Sequence, residues 1–220
     1  MKIKIRINVD LKVGRVVKYF IFVDLALIAG WGLIDPIFAV FVKDHIAGAT
    51  LVTVGFAAAI YWLLKSLLQI PLANRLDRTK GEKDDFYMLI LGLLIVSFAA
   101  VLFGFVREVW QLYAIQILKA FGFACYSATW PAIFSRHLDK ERVSFDWAMD
   151  STAVGISAGV SGFLGGLLAN TFGFTATFVL GGALSFISAI VLLMVPDLML
   201  PPKTMSEPLR QDHTPTDIGR

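Results

Sequence analysis

Six apolar runs, near residues 18–42, 51–73, 87–106, 110–134, 148–169 and 174–195, take up most of this 220-residue chain. Each is close to the ~20 residues that a helix needs to cross the hydrocarbon core of a bilayer. Backbone polar groups find no water there, so each run must satisfy its hydrogen bonds internally and is predicted to be helical. The connections are short, which forces neighbouring spans to run antiparallel and pack side by side. Hydrophobic residues make up 57% of the chain, charged residues 17%, and mean hydropathy is +0.71. A soluble domain of that balance lacks the polar surface to cover itself. The predicted fold class is an all-α integral membrane protein. A six-helix bundle occupies 18–196, between a cytoplasmic N-terminal segment (1–17) and a disordered cytoplasmic tail (197–220).

Charge orients the bundle. With the first span starting inside, the inner segments carry 16 Lys or Arg, while the outer loops carry only Lys43 and Arg107. That asymmetry follows the positive-inside rule and places both termini in the cytoplasm. The net charge of +3 is therefore a mark of membrane topology, and no basic face is left for nucleic acid. Cys125 is the only cysteine, which excludes a disulfide framework and a thiolate metal cluster. The first apolar run is too long for a cleavable signal, so it stays in the membrane.

Local patterns add detail. Residues 1–12 alternate polar and apolar, as a short strand would, but no second strand is present to pair with. A disordered basic segment is the other reading. Pro36 removes a backbone donor in the outer third of the first span and predicts a kink there. In the fifth span Gly155, Gly159, Gly162 and Gly166 share one helical face, which predicts close approach of a neighbouring helix.

Four charged residues within the spans are the strongest candidates for function: Asp24 and Asp35 on the first, Lys65 on the second and Lys119 on the fourth. Each costs ~2.5–3.5 kcal/mol or more in hydrocarbon unless paired, hydrated or functional. Asp24 and Asp35 are three turns apart and lie on one face. At a rise of ~1.5 Å per residue, Asp24 and Lys65 sit about 9 and 12 Å above the inner ends of their helices. Asp35 and Lys119 lie about 11 and 14 Å below the outer ends of theirs. Two acid–base pairs are therefore expected, Asp24 with Lys65 and Asp35 with Lys119. They can be structural ion pairs, or a site for a charged or polar solute that also titrates with protons. Trp31, Tyr61, Gln69, Gln116 and Tyr126 are expected to line the same cavity, on the turn spacing that joins them to the lysines.

Three segments carry a family resemblance. After the second span the chain reads Leu72-Ala73-Asn74-Arg75-Leu76-Asp77-Arg78-Thr79-Lys80-Gly81, similar to the Gly-x-Leu-x-Asp-Arg-x-Gly-Arg signature of the major facilitator superfamily. It differs in Ala73 and in one added residue before Gly81. Lys119-Ala120-Phe121-Gly122 stands where that family often carries an arginine and a glycine-rich stretch. The run from Gly159 to Gly166 resembles its fifth-helix motif without the proline. Over residues 18–196 the chain thus resembles one six-helix half of such a transporter. The resemblance implies two inverted three-helix repeats, a central solute site and alternating access by rocking of two halves. It also implies that Asp77 and Arg78 latch neighbouring helix ends.

The expected function is secondary-active transport of a small polar or amphipathic solute across the plasma membrane, coupled to protons. With one half present, the expected assembly is a homodimer that places helices 1, 2, 4 and 5 of both copies around one pathway. A portion of a longer transporter and a non-transporting scaffold are the alternatives. No His-Glu-x-x-His, nucleophile elbow or P-loop occurs, and His45, His137 and His213 are scattered, so neither an enzyme nor a cofactor is implied.

Overall fold

The computed structural model describes residues 14–78 and 83–194. The alternating segment 1–12, the tail beyond 194 and Thr79, Lys80 and Gly81 of the signature lie outside the described residues. Five helical elements follow in order: α1 (Arg15–His45), α2 (Leu51–Leu76), α3 (Lys83–Phe103), α4 (Val109–Arg136) and α5 (Val143–Leu193). Among the described residues there is no strand, only one isolated bridge between Ala47 and Glu108 that ties the α1–α2 and α3–α4 connections together.

Four elements are long and apolar enough to cross a membrane; α4, which carries Lys119, is the least apolar of the five. α5 comprises two helical limbs that meet at a kink: among its 51 residues only Gly173 is non-helical. A straight helix of that length would reach about 76 Å, more than twice the ~30 Å hydrocarbon core. Gly173, at φ 84° and ψ 168°, supplies the break in a backbone region that side chains disfavour. The two limbs fold back on each other. Ser157 Oγ donates to Leu25 O at 3.0 Å and Ser185 Oγ to Leu27 O at 3.4 Å. Two residues 28 apart therefore touch carbonyls of α1 that are only two residues apart.

The other boundaries follow from local chemistry. Thr50 and Thr53 form a reciprocal cap that starts α2, and Glu108 and Gln111 do the same for α4. α1 runs through Pro36 without losing its helical assignment, and Pro36 packs near Gly162. Phe20, Leu27, Ile34 and Phe41, seven residues apart, are all buried and form one seam of the core.

Packing pairs α1 with both limbs of α5, α4 with α2 and α3, and α3 with the second limb of α5. Small residues make this possible, as expected where lipid supplies no hydrophobic drive between helices. A Cβ on Gly165 would overlap the Leu33 backbone, and one on Gly30 the Gly181 carbonyl. Between α3 and α4, a Cβ on Gly92 would come within 2.8 Å of Gly122 O.

The glycine face read from the sequence does not serve this role within the chain. A Cβ on Gly155, Gly159 or Gly166 would meet nothing within 4 Å, and only Gly162 nears α1. Gly165, next to the stripe but on the adjacent face, makes the close approach. The i, i+4, i+7, i+11 spacing correctly identifies a common face, but spacing carries no information about which face meets α1.

Candidate functional site

Lys119 sits mid-helix on α4, where one side chain of the element must carry a charge among apolar neighbours. Its ammonium finds three aromatic faces: Trp31 from α1 at 3.8 Å to the ring centroid, Tyr61 from α2 at 4.6 Å and Phe123 at 5.8 Å. The rings hold one another edge to face, with centroids 5.4 Å apart for Trp31–Phe123 and 5.8 Å for Tyr61–Phe123. Asp35 Oδ1 lies 3.7 Å from the ammonium.

The two partners differ sharply in exposure, 12% for the Lys119 side chain and 63% for that of Asp35. An ion pair with so exposed a carboxylate is worth about 0–1 kcal/mol. Desolvated cation–π contacts reach about 2 kcal/mol. The rings therefore position the lysine, and the carboxylate stands at the mouth of the site.

These residues enclose a cavity of about 390 Å³. Gln116 lies one turn before Lys119, and Phe38, Val54 and Trp62 complete an apolar and aromatic wall. Two polar atoms that belong to lining residues, Trp31 Nε1 and Gln116 Oε1, are buried without a hydrogen-bond partner. A donor and an acceptor held in that state suit a ligand or waters that supply the missing bonds.

Of the residues singled out from the sequence, Asp35, Lys119, Trp31, Tyr61 and Gln116 come together here. Asp24, Tyr126, Lys65 and Gln69 do not. The expected Asp24–Lys65 pair does not form. α1 packs on α5 rather than on α2, so Asp24 turns towards α4 and α5 and accepts a hydrogen bond from Tyr126 Oη. Lys65 is half-buried with its ammonium 5.2 Å from the centroid of the Trp62 ring, and Gln69 is half-buried one turn further on. Equal depth was the basis for that pairing, and depth is silent on the angular position of each helix.

Phe123 escaped the sequence reading although it follows Lys119 by one turn, the same spacing that marked Tyr61 and Lys65. Asp150 also escaped it, because it lies near the start of an apolar run where an acid resembles a helix-end residue. Asp77 and Arg78 end α2 with exposed side chains, and Asp77 N–H donates to Ala73 O at 2.9 Å. The link between helix ends described on that side joins α4 to α3, with Arg136 Nη1 at 2.6 Å from Asp85 Oδ2.

The chain is similar to known proteins. The family model described as Major Facilitator Superfamily matches residues 20–218. Multidrug resistance protein MdtG of Proteus mirabilis is 30% identical over 173 residues, which cover 75% of this chain and 40% of that protein. Multidrug resistance protein 2 of Bacillus subtilis is 30% identical over 174 residues, 76% of this chain and 40% of its own. An uncharacterised MFS-type transporter of Methanocaldococcus jannaschii is 24% identical over 165 residues. The chain thus spans about two-fifths of the length of these relatives. Among solved structures, the POT family transporter PepTSo matches the fold over 90% of this chain and 40% of its own, with a TM-score of 0.73 at 14% identity. With apolar helices that suit repeated membrane crossing and a family match over most of its length, the chain is a multi-pass membrane protein that belongs to the Major Facilitator Superfamily.

Proposed function

We propose that this chain is a transporter half that binds an amphipathic solute in the Trp31–Asp35–Lys119 cavity and carries it across the plasma membrane by alternating access. The observation that carries the reading is the cavity itself. It combines a caged cation, an exposed carboxylate and two unpartnered polar atoms with an aromatic wall. A hydrated ion gains little from aromatic faces, whereas an amphipathic solute uses both the wall and the polar groups. The names of two relatives, as multidrug resistance proteins, favour the same class of solute.

In this reading the α5 hairpin counts as two crossings, giving six, with both chain ends in the cytoplasm. The reciprocal packing supports two inverted three-helix repeats. α1 contacts both limbs of α5 as α4 contacts α2 and α3, which is the relation expected when the first three crossings exchange with the last three. The pathway is completed by a second copy, so that helices 1, 2, 4 and 5 of each surround it. The open glycine face of α5 and the largely exposed α2 are the surfaces such a copy would meet.

A second reading is favoured by the two-fifths coverage of the relatives: the chain is a portion of a longer transporter whose other half lies on the same polypeptide. Native mass spectrometry from nanodiscs separates the two, a dimer for the first and a monomer for the second.

Transport is tested in proteoliposomes with a panel of amphipathic fluorescent dyes. Asp35→Asn and Lys119→Ala are each expected to abolish dye movement while the protein stays folded. Unchanged transport by both variants would sink the proposal.

A further inference from the structure

A groove of about 570 Å³ runs between the start of α1 and the end of α5, away from the solute cavity. Arg15, Lys18, Tyr19 and Phe22 line it from α1, and Val191 and Met194 from α5. The four α1 residues follow the spacing i, i+3, i+4, i+7, so they form one stripe that leads from two cations to an aromatic ring. Between Arg15 and Phe22 the helix rises about 10 Å. The groove therefore has a charged rim and an apolar floor.

Its charge is not neutralised from within. Arg15 and Lys18 are exposed, and among the described residues neither has an ion-pair partner. No acid lies in the first turn of α1, and none lines the groove. The floor is open as well, with Phe22 49% and Met194 76% exposed. In a membrane protein such a floor is covered by hydrocarbon, and two free cations at its rim select the charge of the group above it.

A second groove, of about 690 Å³, gives the contrast. It lies where α2 meets α3 and α4, and its one cation, Arg75, shares the lining with Asp84. That lining carries no net charge, so an anionic group gains nothing there over a neutral one.

We propose that the α1–α5 groove is a binding site for one anionic glycerophospholipid. Its phosphate lies against Arg15 and Lys18, and an acyl chain covers Phe22, Val191 and Met194. Tyr19, half-buried between rim and floor, stands where an amphipathic ring suits the boundary between headgroup and hydrocarbon. A free phosphate would use the rim alone and leave the floor bare. Each basic residue near an anionic headgroup layer favours association about fivefold, so the pair favours the anionic lipid over a neutral one about 30-fold. The bound lipid bridges the second limb of α5 to α1, the helix that also carries Trp31 and Asp35.

Native mass spectrometry tests this on the full chain released from nanodiscs of equal parts dioleoylphosphatidylcholine and dioleoylphosphatidylglycerol. One phosphatidylglycerol is expected to stay bound in preference to phosphatidylcholine. Arg15→Gln combined with Lys18→Gln should lower that retention about 30-fold. Arg15→Lys combined with Lys18→Arg should keep it, and Arg75→Gln should leave it unchanged. Both cations are exposed, and an unfolding temperature equal to wild type in phosphatidylcholine alone checks that the variants fold. Equal retention of the two lipids, or phosphatidylglycerol retention unchanged in the double glutamine variant, overturns the proposal. Displacement by soluble glycerol phosphate at the lipid's own concentration also overturns it, since the ligand would then be a free phosphate. So does binding that appears only after removal of residues 195–220, which would make the chain's own tail the occupant. No solute enters the measurement, so its outcome and that of the transport reading are independent.

Discussion

The bundle holds two ionic clusters that solve the same electrostatic problem in opposite ways. At Asp35 and Lys119 the charges are of opposite sign, so the site is neutral as built, and three aromatic rings hold the cation in place. At Asp24 and Asp150 the charges are of like sign, each residue is only 6% exposed, and Asp24 accepts a hydrogen bond from Tyr126 Oη. The first cluster is open on the carboxylate side and stands beside a cavity of about 390 Å³. The second is closed and unfinished, with an orphaned oxygen. A neutral site with space beside it suits a solute.

The largest expected effect separates charge neutrality from cage geometry at the first cluster. Exchanging the pair, Asp35→Lys with Lys119→Asp, preserves net charge but puts a carboxylate against the electron-rich faces of Trp31 and Tyr61. Dye transport is expected to fall about 30-fold, as for loss of desolvated cation–π contacts worth about 2 kcal/mol, while Lys119→Arg keeps most of it. Full recovery in the exchanged protein would mean that sign alone matters and would erase the contrast drawn above.

An intermediate effect belongs to the second cluster. Tyr126→Phe removes the bond to Asp24 and is expected to lower stability by about 1–3 kcal/mol, read as thermal unfolding in detergent. Solute affinity at the first cluster should be unchanged in that variant. A large loss of affinity with no loss of stability would show that Tyr126 serves the solute cavity after all.

The smallest effect is expected from Lys65→Met and Gln69→Leu. Neither side chain reaches either cluster, so stability should change within about 0.5 kcal/mol. Dye transport should not move. A clear change in transport would restore Lys65 to the pathway and break the two-site picture.

How far the site was legible depends on the kind of information each residue carries. Asp35 and Lys119 were found from their cost in hydrocarbon and their matching depth, both properties of position along the chain. Gln116 and Tyr61 followed from turn spacing on the same helices. The pairing of Asp24 with Lys65 used the same two arguments and failed, because α5 rather than α2 packs beside that part of α1. Gly155, Gly159 and Gly166 failed for a related reason. They do share a face, and the face that meets α1 is the neighbouring one, through Ser157, Ser161 and Gly165. Asp150 gave no signal of its own, since an acid near the end of an apolar run is unremarkable by position alone.

By itself the sequence determined that this chain is helical and suited to repeated membrane crossing. Those features arise from the transfer of each segment between water and hydrocarbon, one segment at a time. Only the tertiary structure decided which helices are neighbours: α1 between the two limbs of α5, and α4 between α2 and α3. That choice depends on which backbones can approach closely at Gly30, Gly32, Gly92 and Gly165, a matter of shape between segments that no single segment encodes. It sorted the charges into an ion pair beside a cavity and two buried acids away from it.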